Sequence, residues 1–165
     1  MKLLLARNEV NTDKTSDTGR TPLWNASYKG HSGVVKLLLA RNEVNPDKTN
    51  DDGRTPLWIA SDGGHSGVVK LLLARNDVNP DKLSNDGRTP LWTASNNGHE
   101  RVVELLLARN DVNPKTPSAD GRTPLRCASD NGHEDVVKQL KERFQSSRTK
   151  KRSLNTAMAR LFQRA

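Results

Sequence analysis

Apolar residues recur along this chain in two short helical patterns that alternate. Between Gly53 and Gly87, Leu57, Ala60, Ser61 and Gly64 fall at i, i+3, i+4 and i+7, one face of a short helix. That face is small, so a neighbouring helix can approach closely. Thr55 is placed as its N-cap and Pro56 at its first position, where a missing amide costs nothing. Gly64 is expected to end it in a left-handed conformation. A second helix follows His65-Ser66-Gly67, with Val68, Val69, Leu72 and Leu73 on one face. Arg75 is expected in its last turn, against the negative end of the dipole, and Asn76 as a left-handed stop. The helices then give way to the stretch Val78 to Gly87, with Pro80 and Pro90 as brackets. Asp86-Gly87 predicts a turn, hence an extended, hairpin-like finger.

The unit repeats. Gly-Arg-Thr-Pro-Leu begins at Gly19, Gly53, Gly87 and Gly121, each copy 34 residues after the last. Trp24, Trp58 and Trp92 follow three copies, and Arg126 follows the fourth. A fixed period of this size predicts a solenoid in which each repeat packs mainly on its neighbours. The low content of hydrophobic (33%) and aromatic (4%) residues fits that architecture better than one compact core.

The recurring set Asp-Gly-x-Thr-Pro-Leu, Ala, Gly-His, Val-Val-x-x-Leu-Leu, Val-Asn resembles the ankyrin repeat over roughly residues 1–144. The tetratricopeptide repeat shares the period but places proline near the end of its second helix. The resemblance implies an all-α solenoid with extended β-hairpin-like fingers: four helix pairs behind a leading N-terminal helix. The array is expected over 1–145, with a partial repeat at 1–18, repeats at 19–52, 53–86 and 87–120, and a C-terminal cap at 121–145. The chain departs from the family by tryptophan in place of the histidine that usually follows Thr-Pro-Leu. The Gly-Ala-Asp-Val that usually follows the second helix is shortened to Asn-Glu-Val or Asn-Asp-Val, and the finger is two residues longer.

The two ends differ. Lys2 to Val10 repeats Lys36 to Val44 letter for letter, so the leucines at the start read as half a repeat and not as a leader. In the last repeat Gln139 stands where Leu37, Leu71 and Leu105 stand, and Lys141 where Leu39, Leu73 and Leu107 stand. These changes suit a cap. Through Val137 the chain carries 18 basic and 18 acidic residues; from Lys138 onward it carries nine basic residues and one acidic, Glu142. The net charge of +8 therefore belongs to the C-terminal part. In the tail, 146–165, Arg148, Lys150, Lys151 and Arg152 resemble a nuclear-import cluster. Leu154, Ala157, Met158, Leu161 and Phe162 then share one side of a short amphipathic helix. No apolar run reaches membrane-spanning length. One cysteine, Cys127, excludes an internal disulfide framework and fits a reducing compartment. The expected location is intracellular and cytoplasmic, or nuclear if the basic cluster acts as a signal.

Candidate chemistry is sparse. His31, His65, His99 and His133 recur with the repeat and read as helix-junction residues. Packed helices lie about 8–10 Å apart, and a zinc–imidazole bond is about 2 Å, so no metal site is expected. Cys127 reads as a small packing residue, no nucleophile is paired with a base, and no cofactor or enzymatic activity is expected. The tryptophans read as packing between repeats, with Arg20, Arg54 and Arg88 four residues upstream and able to lie over the rings; a binding ladder is the alternative. Positions that drift between repeats are the candidates for recognition. The resemblance implies a concave partner face at the finger tips and first-helix ends, which maps to Tyr28, Lys29, Asp62, Leu83, Asn96, Asn97 and Asp130. The reading is a monomeric protein–protein interaction scaffold. Two alternatives stay open: salt-dependent binding of nucleic acid or an acidic surface through the basic tail, and a C-terminal fragment of a larger signalling protein.

Overall fold

The computed structural model describes residues 12–146. Among these residues are eight helices in four pairs: α1 (Pro22–Tyr28) and α2 (Ser32–Leu39), α3 (Pro56–Asp62) and α4 (Ser66–Leu73), α5 (Pro90–Asn96) and α6 (Glu100–Leu107), α7 (Pro124–Asp130) and α8 (134–146). The expected leading helix, with Leu3, Leu4 and Leu5, lies outside the described residues, as does the tail from 147. First helices pack on first helices along the array, α1 on α3, α3 on α5 and α5 on α7; α2, α4 and α6 pack likewise. The first three pairs also pack internally. The expected all-α solenoid is the observed architecture.

The local signals work as read. Thr21, Thr55, Thr89 and Thr123 are extended N-caps whose hydroxyls accept from the amide of residue i+3, with proline opening each first helix. Helices of seven residues are far too short to stand in water alone. Their stability comes from a continuous core of Leu23, Leu57, Leu91, Val68, Val102 and Leu106, all fully buried.

The helix junction holds two repeats together. Behind α3, the His65 amide bonds Ala60 O at 2.9 Å and the Gly64 amide bonds Ser61 O at 3.3 Å, the double bond pattern that closes a helix on a left-handed residue. Gly64 takes φ +68°, and a Cβ there would lie 2.8 Å from His99 Nδ1 of the next repeat. The His99 ring reaches back, its Nε2 2.9 Å from Asp62 O. A carbonyl only accepts, so Nε2 carries the proton. His65 and His133 bond Tyr28 O and Asn96 O in the same way, each at 3.0 Å.

The second helix ends differently from expectation. Asn76 is not left-handed: every described residue with positive φ is glycine. Instead α4 stops at Leu73 and tightens, the Arg75 amide bonding Leu72 O at 3.1 Å. A tight turn of this kind uses up the last carbonyls without a left-handed residue. Arg75 serves the preceding repeat more than its own helix. Its Nη1 donates to Leu39 O at 3.0 Å while Asp77 takes Nε and Nη2 at 2.8 and 2.6 Å. Arg109 repeats this on Leu73 O and Asp111.

The fingers are turns, and no strand occurs among the described residues. In each, an amide bonds the carbonyl four residues on, as Ser84 N does with Arg88 O at 3.1 Å. Neighbouring fingers are joined through single amides, such as Asn85 N to Asp52 O at 2.9 Å. At the finger base, Asp47 accepts from Asn79 N at 2.8 Å and Asp81 from Asn113 N at 2.6 Å. Burial pushes both carboxyls up, against the pull of those amides. The second oxygen of each, Oδ1, is buried without a partner.

Two measurements check this account of the joints. Gly64→Ala and Gly132→Ala both place a side chain at positive φ, which costs about 1–2 kcal/mol. Only the first also displaces a neighbouring histidine, because nothing lies within 4 Å of a Cβ at Gly132. Gly64→Ala is expected to lose about 1 kcal/mol more in urea unfolding; equal losses would show that the glycine–histidine contact is inert. The second concerns pH. Because the folded Asp81 carboxyl ionises later than an unfolded one, its contribution is fully present at low pH and is lost as pH rises through the folded value. Asp81→Asn keeps an acceptor for Asn113 N and removes the titration. Its urea midpoint should therefore gain on wild type between about pH 4 and pH 7, and a constant difference refutes the assignment.

Candidate partner-binding face

The face begins as a column on each first helix. In the first repeat Arg20, Trp24 and Tyr28 are spaced i, i+4, i+8, so they share one side of the chain leaving the finger. The Arg20 guanidinium lies 4.6 Å from the Trp24 ring centroid. The Trp24 and Tyr28 rings stack at 5.7 Å with 22° between planes, and Lys29 Nζ sits 5.1 Å from the Tyr28 centroid. Two stacked rings thus lie between two cations, each cation drawn to a negative ring face. Arg54 over Trp58 and Arg88 over Trp92 repeat the inner half, at 4.5 and 4.3 Å.

The tryptophans are packing residues. They are 3–4% exposed, and each indole donates to a backbone carbonyl of the next repeat: Arg54 O at 3.1 Å, Arg88 O at 3.2 Å and Arg122 O at 2.8 Å. A buried ring with its N–H satisfied is a joint, which disposes of the binding-ladder alternative. Arg126 takes the fourth place. It stays exposed and bonds Asp130 through Nε at 2.9–3.0 Å, with Arg122 3.9 Å from the same carboxylate.

The outer half of the columns carries the residues that drift. The Asp62 carboxylate accepts from Thr93 Oγ1 at 2.7 Å and from Asn97 Nδ2 at 3.0 Å. Asn97 also donates to Asp62 O at 3.0 Å. One repeat later, Asn131 donates to Asn96 O at 2.8 Å and to its Oδ1 at 3.2 Å, and Asn96 donates to Asn97 Oδ1 at 2.9 Å. The structure therefore brings Asp62, Asn96 and Asn97 into one polar seam across repeat boundaries. Gly63 stands where Asn97 and Asn131 stand, and has no amide to set against Tyr28. Tyr28 and Leu83 are the exposed large hydrophobic residues among those described, each at 49%.

Residues 50, 84 and 118 carry a role that the drift of the finger tips concealed. Asn50, Ser84 and Ser118 are buried. Asn50 Oδ1 accepts from Arg54 N at 2.9 Å, and the Ser84 and Ser118 hydroxyls donate to Arg88 O and Arg122 O at 3.0 Å. The signal was present in the alphabet, because only serine or asparagine occurs at that place. Lys48 and Lys82 also pin fingers together, donating to Asp13 O and Asp47 O at 2.9 and 3.1 Å. Cys127 is fully buried, and burial pushes its thiol up, so it stays protonated and shielded. The basic cluster Arg148, Lys150, Lys151 and Arg152 lies outside the described residues.

Trp58 gives the direct check on packing. Trp58→Ala should cost about 3–5 kcal/mol in an unfolding titration. Trp58→Phe keeps the ring under Arg54 and loses the bond to Arg88 O, at about 1 kcal/mol. Unchanged stability in Trp58→Ala, with partner binding lost, would return the tryptophans to the recognition surface.

The geometry agrees with what comparison finds. The family model described as ankyrin repeats (3 copies) matches residues 1–82 and again 66–151. No match was found among curated proteins. Capped helix pairs, glycine–histidine junctions and turn-like fingers recur in register through the described residues, and the chain belongs to the ankyrin-repeat family.

Proposed function

We propose that this chain is a non-enzymatic interaction module that binds a protein partner on the face formed by finger tips and first-helix ends. Ankyrin repeats are generally protein–protein interaction modules. The observation that carries the reading here is the column Arg20, Trp24, Tyr28, Lys29. It sets a half-exposed tyrosine on a ring that is itself held by two repeats. A rigid aromatic platform loses little freedom on binding, which is why tyrosine is frequent among interface hot spots. Leu83 offers a second apolar anchor from the third finger, and Lys29 supplies charge beside the first. Asp62, Asn96, Asn97 and Asp130 form a polar rim that reads the partner with groups already partly engaged.

The test is partner capture from the protein's own cell, comparing wild type with Tyr28→Ala/Leu83→Ala. Asn97 is left intact, because its bonds to Asp62 would confuse stability with recognition. Loss of an anchor of this kind weakens binding by about 2 kcal/mol, roughly thirtyfold in Kd. Specific partners should therefore drop out while the unfolding midpoint holds. Retention of every specific partner places the binding site elsewhere.

A further inference from the structure

The last repeat leaves open what the others close. Leu57 and Leu91 are fully buried, whereas Leu125 is half-buried. Val69 and Val103 are fully buried, whereas Val137 is half-buried; Ser61 and Ser95 are fully buried, whereas Ser129 is exposed. These three residues, with Arg126 and Lys141, line a groove of about 260 Å³ between α7 and α8. That is far more than one water's share of liquid volume, about 30 Å³, and its floor is apolar. The substitutions to Arg126 and Lys141 put charge at the rim of this face without removing Leu125 or Val137 from it.

We infer that residues 154–162 of the same chain dock as a short helix in this groove. Leu154, Ala157, Met158 and Leu161 fall at i, i+3, i+4 and i+7, a stripe of the width that packs on a helix pair. The chain between is long enough. Helix α8 is described to 146, nine residues past Val137, a distance of about 13.5 Å at 1.5 Å per residue. The seven residues 147–153 span up to about 23 Å when extended, sufficient to turn and lay the segment back along α8. A helix over 154–162 would itself be about 13.5 Å long. The tail is basic and the rim carries Arg126 and Lys141, so charge does not drive the contact. Apolar burial does, and the docked helix stands in for the next repeat.

The proposal is tested on the full chain. In Met158→Asp/Leu161→Asp the stripe is destroyed without touching the described residues. Amides of α7 and α8 should then exchange hydrogen at least about tenfold faster, with α3 and α4 unchanged. Unaltered protection in α7 and α8 overturns the inference. In wild type the protection should persist in high salt, which screens charge and not apolar contact; loss of protection with salt overturns it too. A photo-crosslinking amino acid replacing Leu161 gives the location. Adducts within the same chain at 123–141 support docking. Adducts to a second copy, to other repeats or to nothing refute it.

Discussion

Everything in this molecule depends on the joint between one helix pair and the next. A seven-residue helix has no stability of its own in water, and a pair of such helices leaves apolar surface on both flanks. The joint solves this with a core of leucines and valines, which supplies the free energy. Around that core run several ranks of directional hydrogen bonds. Tryptophan indoles bond carbonyls at the finger side, histidine rings bond helix-end carbonyls at the opposite side, and Arg75 and Arg109 bond the ends of the preceding second helices. The apolar contacts would tolerate sliding; the directional bonds do not, so they set the register of the stack.

The same bonds divide the candidate face into residues that hold the scaffold and the exposed side chains of Tyr28 and Leu83. Drift alone does not separate the two classes. Asp62 and Asn96 vary at one position, yet each is bound by the asparagine ahead of it, Asp62 by Asn97 and Asn96 by Asn131. Tyr28 has no such amide opposite it, since Gly63 occupies that place. Tyr28 thus sits at a gap in a structural seam, its ring stacked on Trp24 and its carbonyl bonded by His65.

Much of the fold was legible because its signals are local and repeated four times. Thr-Pro announces a cap and a first turn, and the glycine before each histidine announces a left-handed stop. Asn76 misled because asparagine tolerates the left-handed region and follows the last apolar position; the helix instead closed through a tight turn and an arginine from its neighbour. The fingers read as hairpins because Asp-Gly favours them, yet each is joined to the next finger through too few backbone bonds to make a strand. The candidate site was less legible. Tyr28 and Leu83 stood out as large apolar residues outside the pattern. Asn50, Ser84 and Ser118 lie buried among finger residues that drift around them, and the seam of Asp62, Asn96 and Asn97 spans repeat boundaries, so no single repeat displays it.

The joints also give the stack a direction, and the last repeat obeys it. Some residues reach forward to the repeat that follows. Tryptophan donates forward to an arginine carbonyl, and Asp47 and Asp81 accept from the asparagine amide ahead. Others reach back, as the histidine ring, the asparagine amide and the arginine after the second helix do. Toward the C-terminal end of the described residues both forward-reaching positions have changed, tryptophan to Arg126 and aspartate to Lys115. Lys115 lies over the Phe144 ring at 5.5 Å instead. The backward-reaching His133, Asn131 and Arg143 are all kept. A buried indole or carboxylate with no carbonyl or amide ahead of it would be an unsatisfied polar group in the core. A charged side chain in the same place turns out to solvent or onto a ring. Arg126 and Lys115 therefore replace two groups that need a bonding partner ahead of them, while Leu125 and Val137, whose side chains form no directional bonds, keep the apolar character of their counterparts.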